Sequence, residues 1–299
     1  MTSQFGQDQY VLELLRLTKG CNSQQPGFIV EAGAASPTHV SNALLFLEKG
    51  YSLRLIEGDK RMAREWSNIS GDIELLEVFI PYTSRGMDST LGAFEDLPVD
   101  FDALFLDING GEYQLLEGMR DFRPKVICFE YDNAYPPNIN FVPSFFGYSP
   151  ETGQASSSAF HKMLAAKRYY FVKAFFQDHI YVSEDFLRII LAAQPDFQYG
   201  TSHYLKNAHQ ALYFPAAVLS NQKEGEGHAG VSFYLDKIRA LANDGFRSEA
   251  AQMYSFILTH AMNVNSSIDN TRSTSYCSQF REALSKMIDE YCYLINPLL

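Results

Sequence analysis

The chain is short of positive charge. Lys and Arg number 24 against 35 Asp and Glu, a formal net charge of −11, and a broad nucleic-acid or anionic-membrane surface needs clustered cations. Such partners are therefore not expected, and a small molecule or peptide is. Cysteine is scarce too. Cys21, Cys128, Cys277 and Cys292 are widely spaced with no CxxC pair, which excludes a zinc knuckle and a disulfide framework and fits a reducing, cytoplasmic compartment. No apolar run is long enough to cross a bilayer, and the opening residues MTSQFGQDQY lack a basic stretch followed by an apolar one. Neither export nor membrane insertion is expected. Also missing is GxGxxG, the spacing that seats a pyrophosphate on a helix N-terminus.

What is present is a series of short apolar strands that each run into an acid. Phe28-Ile29-Val30 leads to Glu31 and the small turn Ala32-Gly33-Ala34-Ala35; Leu53–Ile56 leads to Glu57; Phe101–Leu106 leads to Asp107; Lys125–Phe129 leads to Glu130, Asp132 and Asn133. Continuous apolar runs mark strands buried on both faces. Between them, a helix is expected from a Ser36 cap and Pro37, with Val40, Ala43, Leu44 and Leu47 on one face and Gly50 as its stop. Lys60–Ser67 and the segment carrying Leu115, Leu116 and Met119 also suit helices, as does the N-terminal stretch with Tyr10, Val11, Leu14, Leu15 and Leu17. Ile73–Ile80 suits a third strand, and Tyr82–Thr90 reads as a loop. After a proline-rich, aromatic segment from Tyr135 to Pro150, a helix over Ser156–Lys167 and a hairpin of Tyr169–Phe176 with His179–Val182 complete the domain. Strands alternating with helices predict a parallel sheet, and the hairpin an antiparallel edge.

The division expected is a domain over 1–190, a linker over 191–230 and a helical extension over 231–299, in which Gly245 splits the first helical stretch. That extension could support a homodimer.

Open parallel sheets bind ligands outside the carboxyl ends of their strands. Several acids on that rim suit a cationic, hydroxyl-rich ligand, one carboxylate taking two ribose hydroxyls and another an ammonium. S-adenosylmethionine has both features. The ordered blocks SQFGQD, FIVEAGAAS with SNALLFLEKGY and LRLIEGD, ALFLDINGGEYQLLEGM and HIYVSEDFL resemble the FkbM-type S-adenosylmethionine-dependent methyltransferases over Ser3 to Leu187. The resemblance implies a class I methyltransferase (Rossmann-like) fold with a mostly parallel seven-stranded sheet, and methyl transfer to a hydroxyl or carboxylate of a small natural product, sugar or peptide. It places Glu31, Gly33 and Ala34 at the methionine part, Asn42 at its amino-acid end, Glu57 at the ribose and Asp107 at the reaction centre. Gln4, Gln7 and Asp8 either contact the cofactor or cap the first helix. Two positions depart from the family pattern: Pro37 stands where many relatives have a second glycine, and Asn109 where they have a glutamate.

An alcohol acceptor must lose a proton. Either His161 acts as general base, or Asp107, Asp132 and Asn133 hold Mg2+ that lowers the acceptor's pKa. The competing reading is a binding or scaffold protein that keeps the fold without catalysis.

Overall fold

A computed structural model describes residues 3, 5–18, 27–38, 41–133, 135–136, 139–143, 154–175, 177–211, 234, 237–243 and 245–256. The chain divides into two compact units, residues 1–131 with 160–207, and residues 132–159 with 208–299.

The first unit is built on strands β1 (Phe28–Ala32), β2 (Ser52–Ile56), β3 (Ile73–Leu76), β4 (Ala103–Leu106), β5 (Val126–Glu130), β6 (Tyr169–Ala174) and β7 (Asp178–Ser183). They form one sheet in the order β3-β2-β1-β4-β5-β7-β6. The first five pair in parallel, and β7 runs antiparallel to both β5 and β6. The order reverses between β1 and β4, which places a crevice above the carboxyl ends of those strands. This is the class I methyltransferase fold.

Helices α1 (Gln7–Thr18), α2 (Leu44–Leu47), α3 (Lys60–Trp66), α4 (Gly86–Leu91), α5 (Glu112–Gly118), α6 (Ser157–Ala166), α7 (Glu184–Ala193) and α8 (Gly200–Ala211) accompany the sheet in sequence. On one face Ile29, Leu53, Phe105 and Val126 meet Val11 and Leu15 of α1, Phe46 of α2 and Phe186 of α7 in a single buried cluster. On the other, the Phe160 ring of α6 lies 4.3 Å from Phe129 of β5 and 5.5 Å from Tyr113 of α5. Both faces of the central strands are thus covered, which is why they read as largely apolar runs.

Four expectations change. The second helix does not begin at Ser36: α2 holds only Leu44–Leu47, because Glu31 gathers the amides of Asn42 and Ala43 and so sets the helix start. β3 stops at Leu76 rather than Ile80, since β2, its partner, ends at Ile56 and only Glu57 N–H reaches back to Leu76. Tyr82–Thr90 is not all loop, for α4 begins at Gly86 and its buried Asp88 accepts the amides of Arg120 and Asp121. Residues read as linker from 191 include the end of α7 and all of α8; 212–230 lie outside the described residues.

In the second unit, Tyr135, Ile139 and Phe141 pack with Tyr234, Ile238, Leu241, Met253 and Tyr254 in a separate core. The aromatic loop therefore contributes packing there. Gly245 has φ +90° between helical segments, as a break at that position requires.

Arg54 is the buried charge of β2, 4% exposed, with Asp72 at 3.3 Å, Glu74 at 3.4 Å, Asp96 on its Nε at 3.0 Å and the Phe28 ring centre 5.0 Å from its guanidinium. Those carboxylates are about half exposed and can rehydrate. Arg54→Leu is therefore expected to cost about 1–3 kcal/mol, less than stranding a buried ion. A lower urea midpoint with an unchanged m-value would show it.

Candidate functional site

The crevice at the strand reversal contains a cavity of about 360 Å³. Its wall is built by the turn after β1 (Gly33, Ala35), the end of β2 with its following loop (Ile56–Asp59), Met62 of α3, the segment after β3 (Val78, Phe79, Ile80, Tyr82) and the end of β4 (Asp107, Ile108, Asn109).

The turn after β1 is fixed on every side. Gly33 has φ +82°, and a Cβ there would lie 1.7 Å from the Asp107 carbonyl oxygen. Its N–H and that of Ala34 both bond the Ile56 carbonyl, at 2.9 and 3.2 Å. Ala35 also has positive φ, +45°; its N–H donates to Glu57 Oε2 at 2.7 Å, and its carbonyl accepts from Trp66 Nε1 at 3.0 Å. Glu57 Oε1 takes the Asp59 amide at 2.7 Å. Each Glu57 oxygen thus accepts one backbone bond and retains acceptor capacity toward the cavity.

Glu31 behaves differently from the expectation that put it on the rim. It lies within β1, 3% exposed, and alternation along the strand points it to the α2 side. Oε1 accepts from the Asn42 amide (2.7 Å) and Asn42 Nδ2 (3.1 Å), Oε2 from Ser41 Oγ (2.9 Å) and the Ala43 amide (3.1 Å). Four donors fill the acceptor capacity of a carboxylate. Glu31 therefore shapes the Ser41–Leu44 segment and has no lone pair left for a ligand ammonium. Burial pushes its carboxyl up to about 7 against the pull of those donors. Asn42 is left with Oδ1 buried and without a hydrogen-bond partner.

After β4 the chain turns through three left-handed residues, Asn109 (φ +58°), Gly110 (+127°) and Gly111 (+93°). Asparagine tolerates that region better than most residues, glutamate included, so the departure at position 109 suits the turn. Glu112 Oε1 clasps the loop by accepting from the amides of Ile108 (3.1 Å) and Gly110 (2.9 Å). Its carboxyl is pushed up to about 7, chiefly by burial. Asp107 faces the open side, yet crowding by protein raises its pKa, and it shares a hydrogen bond with Glu130 of β5.

Of the remaining expected residues in the first unit, Gln7, Asp8, Ala34 and His161 are not part of the cavity wall. Gln7 Oε1 accepts from the Phe5 amide, and Asp8 accepts from the Gln9 amide and Ser3 Oγ, so both side chains are engaged locally at the start of α1; Gln4 lies outside the described residues. Ala34 is buried in the turn. His161 places Nδ1 3.1 Å from the Tyr181 hydroxyl and Nε2 3.2 Å from Thr201 Oγ1, and stacks 4.0 Å over Tyr204. Burial lowers its pKa to about 4, leaving a weak base held by hydroxyl groups. In the second unit, Asp132 is engaged by Lys237, whose side chain is 2% exposed. An ammonium thus already faces that carboxylate. Trp66, Phe79 and Tyr82 are parts of the site that no strand-end rule picks out, whereas Glu130 stands at the end of its strand as expected and Glu112 lies within the block ALFLDINGGEYQLLEGM.

Among solved structures, the chain is similar to a Burkholderia thailandensis 1,6-didemethyltoxoflavin-N1-methyltransferase with bound 1,6-didemethyltoxoflavin and S-adenosylhomocysteine, at 11% identity over 60% of this chain and 82% of that one, TM-score 0.36. A protein from Listeria monocytogenes described as an S-adenosylmethionine dependent methyltransferase gives 11% identity over the same shares, TM-score 0.26. No family model and no curated protein sequence matches the chain. At such scores the likeness carries no argument, and the fold rests on the chain's own strand order, with β7 reversed between β5 and β6.

Proposed function

We propose that the protein is an S-adenosylmethionine-dependent methyltransferase acting on an oxygen of a small molecule or peptide. The observation that carries this reading is the cavity at the strand reversal, which has the Glu57 carboxylate on one side and Asp107 on the other. Bound there, the donor supplies a methyl group already activated on a sulfonium.

The chain's own residues then have four tasks. Glu57, braced by two backbone amides, offers its remaining lone pairs to vicinal ribose hydroxyls. Val78, Phe79 and Ile80 give an apolar wall for a flat base. The orphaned Asn42 Oδ1 is the acceptor assigned to the donor's ammonium, since the Glu31 oxygens are filled. Alignment of the acceptor with the methyl group is the main demand of the reaction, and Asp107 on the rim is placed to orient that oxygen. The FkbM-type resemblance favours a hydroxyl acceptor on a natural product or sugar.

Calorimetry with S-adenosylmethionine and S-adenosylhomocysteine tests this directly. Micromolar binding is expected, weakened about 30-fold or more by Glu57→Ala, which removes a charged acceptor of two ligand hydroxyls. Folded protein that binds neither nucleoside at high micromolar concentration would return the reading to a non-catalytic scaffold.

A further inference from the structure

Three carboxylates meet beside the ends of β4 and β5. One oxygen each from Asp107, Glu112 and Glu130 lie within 4.8 Å of one another. Glu112 is 1% exposed, and its Oε1 is committed to the amides of Ile108 and Gly110. Its other oxygen, Oε2, is buried with no hydrogen-bond partner. A buried carboxylate oxygen without a donor is costly and asks for a cation or a proton. Neither Asp107 nor Glu112 forms an ion pair with a basic side chain among the described residues. The need is compounded by Asp178, which sits opposite Glu130 in the β5–β7 register.

We propose that Asp107, Glu112 and Glu130 form a binding site for one hard divalent cation. All three ligands are oxygens, the set preferred by Mg2+, Mn2+ and Ca2+ over thiophilic metals. Opposite oxygens on a calcium ion stand roughly 4.8 Å apart, twice its usual bond length, and a slight closing suits the smaller ions. Glu112 is the fixed ligand because the loop holds its carboxylate by the other oxygen. Glu130 is anchored in a strand. Asp107 opens onto the cavity, so water or an oxygen of a bound molecule can complete the coordination.

This set shares only Asp107 with the one expected from the sequence, and it does not depend on methyl transfer. Binding is therefore measured on the full chain without any nucleoside. The probe is Mn2+, followed by the loss of its free electron paramagnetic resonance signal. One ion per chain is expected, displaced by Ca2+ or Mg2+, with affinity reduced at least tenfold in Glu112→Gln and again in Glu130→Gln. Glutamine at 112 keeps an acceptor for the Ile108 and Gly110 amides, and Glu130→Gln serves if that variant does not fold. Unchanged free signal at millimolar Mn2+ with wild-type protein would overturn the proposal in favour of a shared proton. So would equal binding by wild type and both folded variants, which would locate the ion elsewhere.

Discussion

Gly33→Ala is expected to abolish nucleoside binding and to lower the melting temperature far more than the same change at Gly50. The two glycines have nearly the same backbone, φ +82° and +80°, so both alanines carry the left-handed penalty of about 1–2 kcal/mol. They differ in what surrounds them. A Cβ on Gly50 meets nothing within 4 Å, whereas one on Gly33 lies 1.7 Å from the Asp107 carbonyl oxygen and 2.7 Å from its carbon. Both obstructing atoms are backbone and cannot swing aside. Relief requires β1 and β4 to separate where Asp107 N–H bonds the Ala32 carbonyl at 3.0 Å, or the Gly33 and Ala34 amides to leave Ile56. Either movement displaces Asp107 and Glu57 on the cavity wall. Overpacking of this kind costs roughly 1–3 kcal/mol or more above the backbone term, and each kcal/mol shifts a domain of this size by about 2–4 °C. Differential scanning calorimetry of both variants, with nucleoside titration, separates the outcomes. Equal losses at the two glycines would mean that the close approach of β1 and β4 carries no weight.

The sheet was legible because its central parallel strands are buried on both faces and therefore spell themselves as largely apolar runs, with the acid that follows marking the carboxyl end. Glu57 and Asp107 could be placed on the cavity from that rule alone. Glu31 obeys the same pattern in sequence but not in space. β1 continues two residues further than its apolar run, through Glu31 and Ala32, because β2 and β4 both offer ladder partners there. The acid is thereby drawn into the core, where it organises residues 41–43 instead of a ligand. No local signal distinguishes it from Glu57. The same long-range bond hides the true start of α2, since Ser36-Pro37 is a sound helix opening that Glu31 overrides ten residues on. Glu112 was obscured for the opposite reason. It reads as an ordinary acid in the first turn of a helix, and only the left-handed path of 109–111 turns it back over the loop.

His179→Leu is expected to weaken the protein's sensitivity to mild acid. His179 is fully buried, neither ring nitrogen has a hydrogen-bond partner, and Phe129, Tyr131, Phe171, Tyr181 and Tyr204 surround it, with Tyr131 nearest at 4.0 Å. Burial, with a smaller push from His161, lowers its pKa to about 3, against an unfolded value near 6.5. The sign follows. The unfolded chain takes up a proton below about pH 6.5 that the folded chain refuses, so the stability of the neutral form is complete above that pH and is lost as pH falls toward 3. At pH 5 the loss is about 2 kcal/mol. Glu31 has the opposite slope. Its folded value of about 7 exceeds the ordinary 4.5, so its contribution is complete below 4.5 and is lost as pH rises through 7. Together they place the stability maximum on the acid side of neutrality, between the two arms. Leucine matches the imidazole in volume and suits an aromatic pocket, and it removes the His179 share of the acid arm while leaving that of His161 and the alkaline arm. Melting temperatures of wild type and variant should therefore converge above pH 7 and diverge by about 4–8 °C at pH 5, the variant being the more stable. Parallel profiles at every pH would show that His179 keeps its proton balance on unfolding and that the acid arm arises elsewhere.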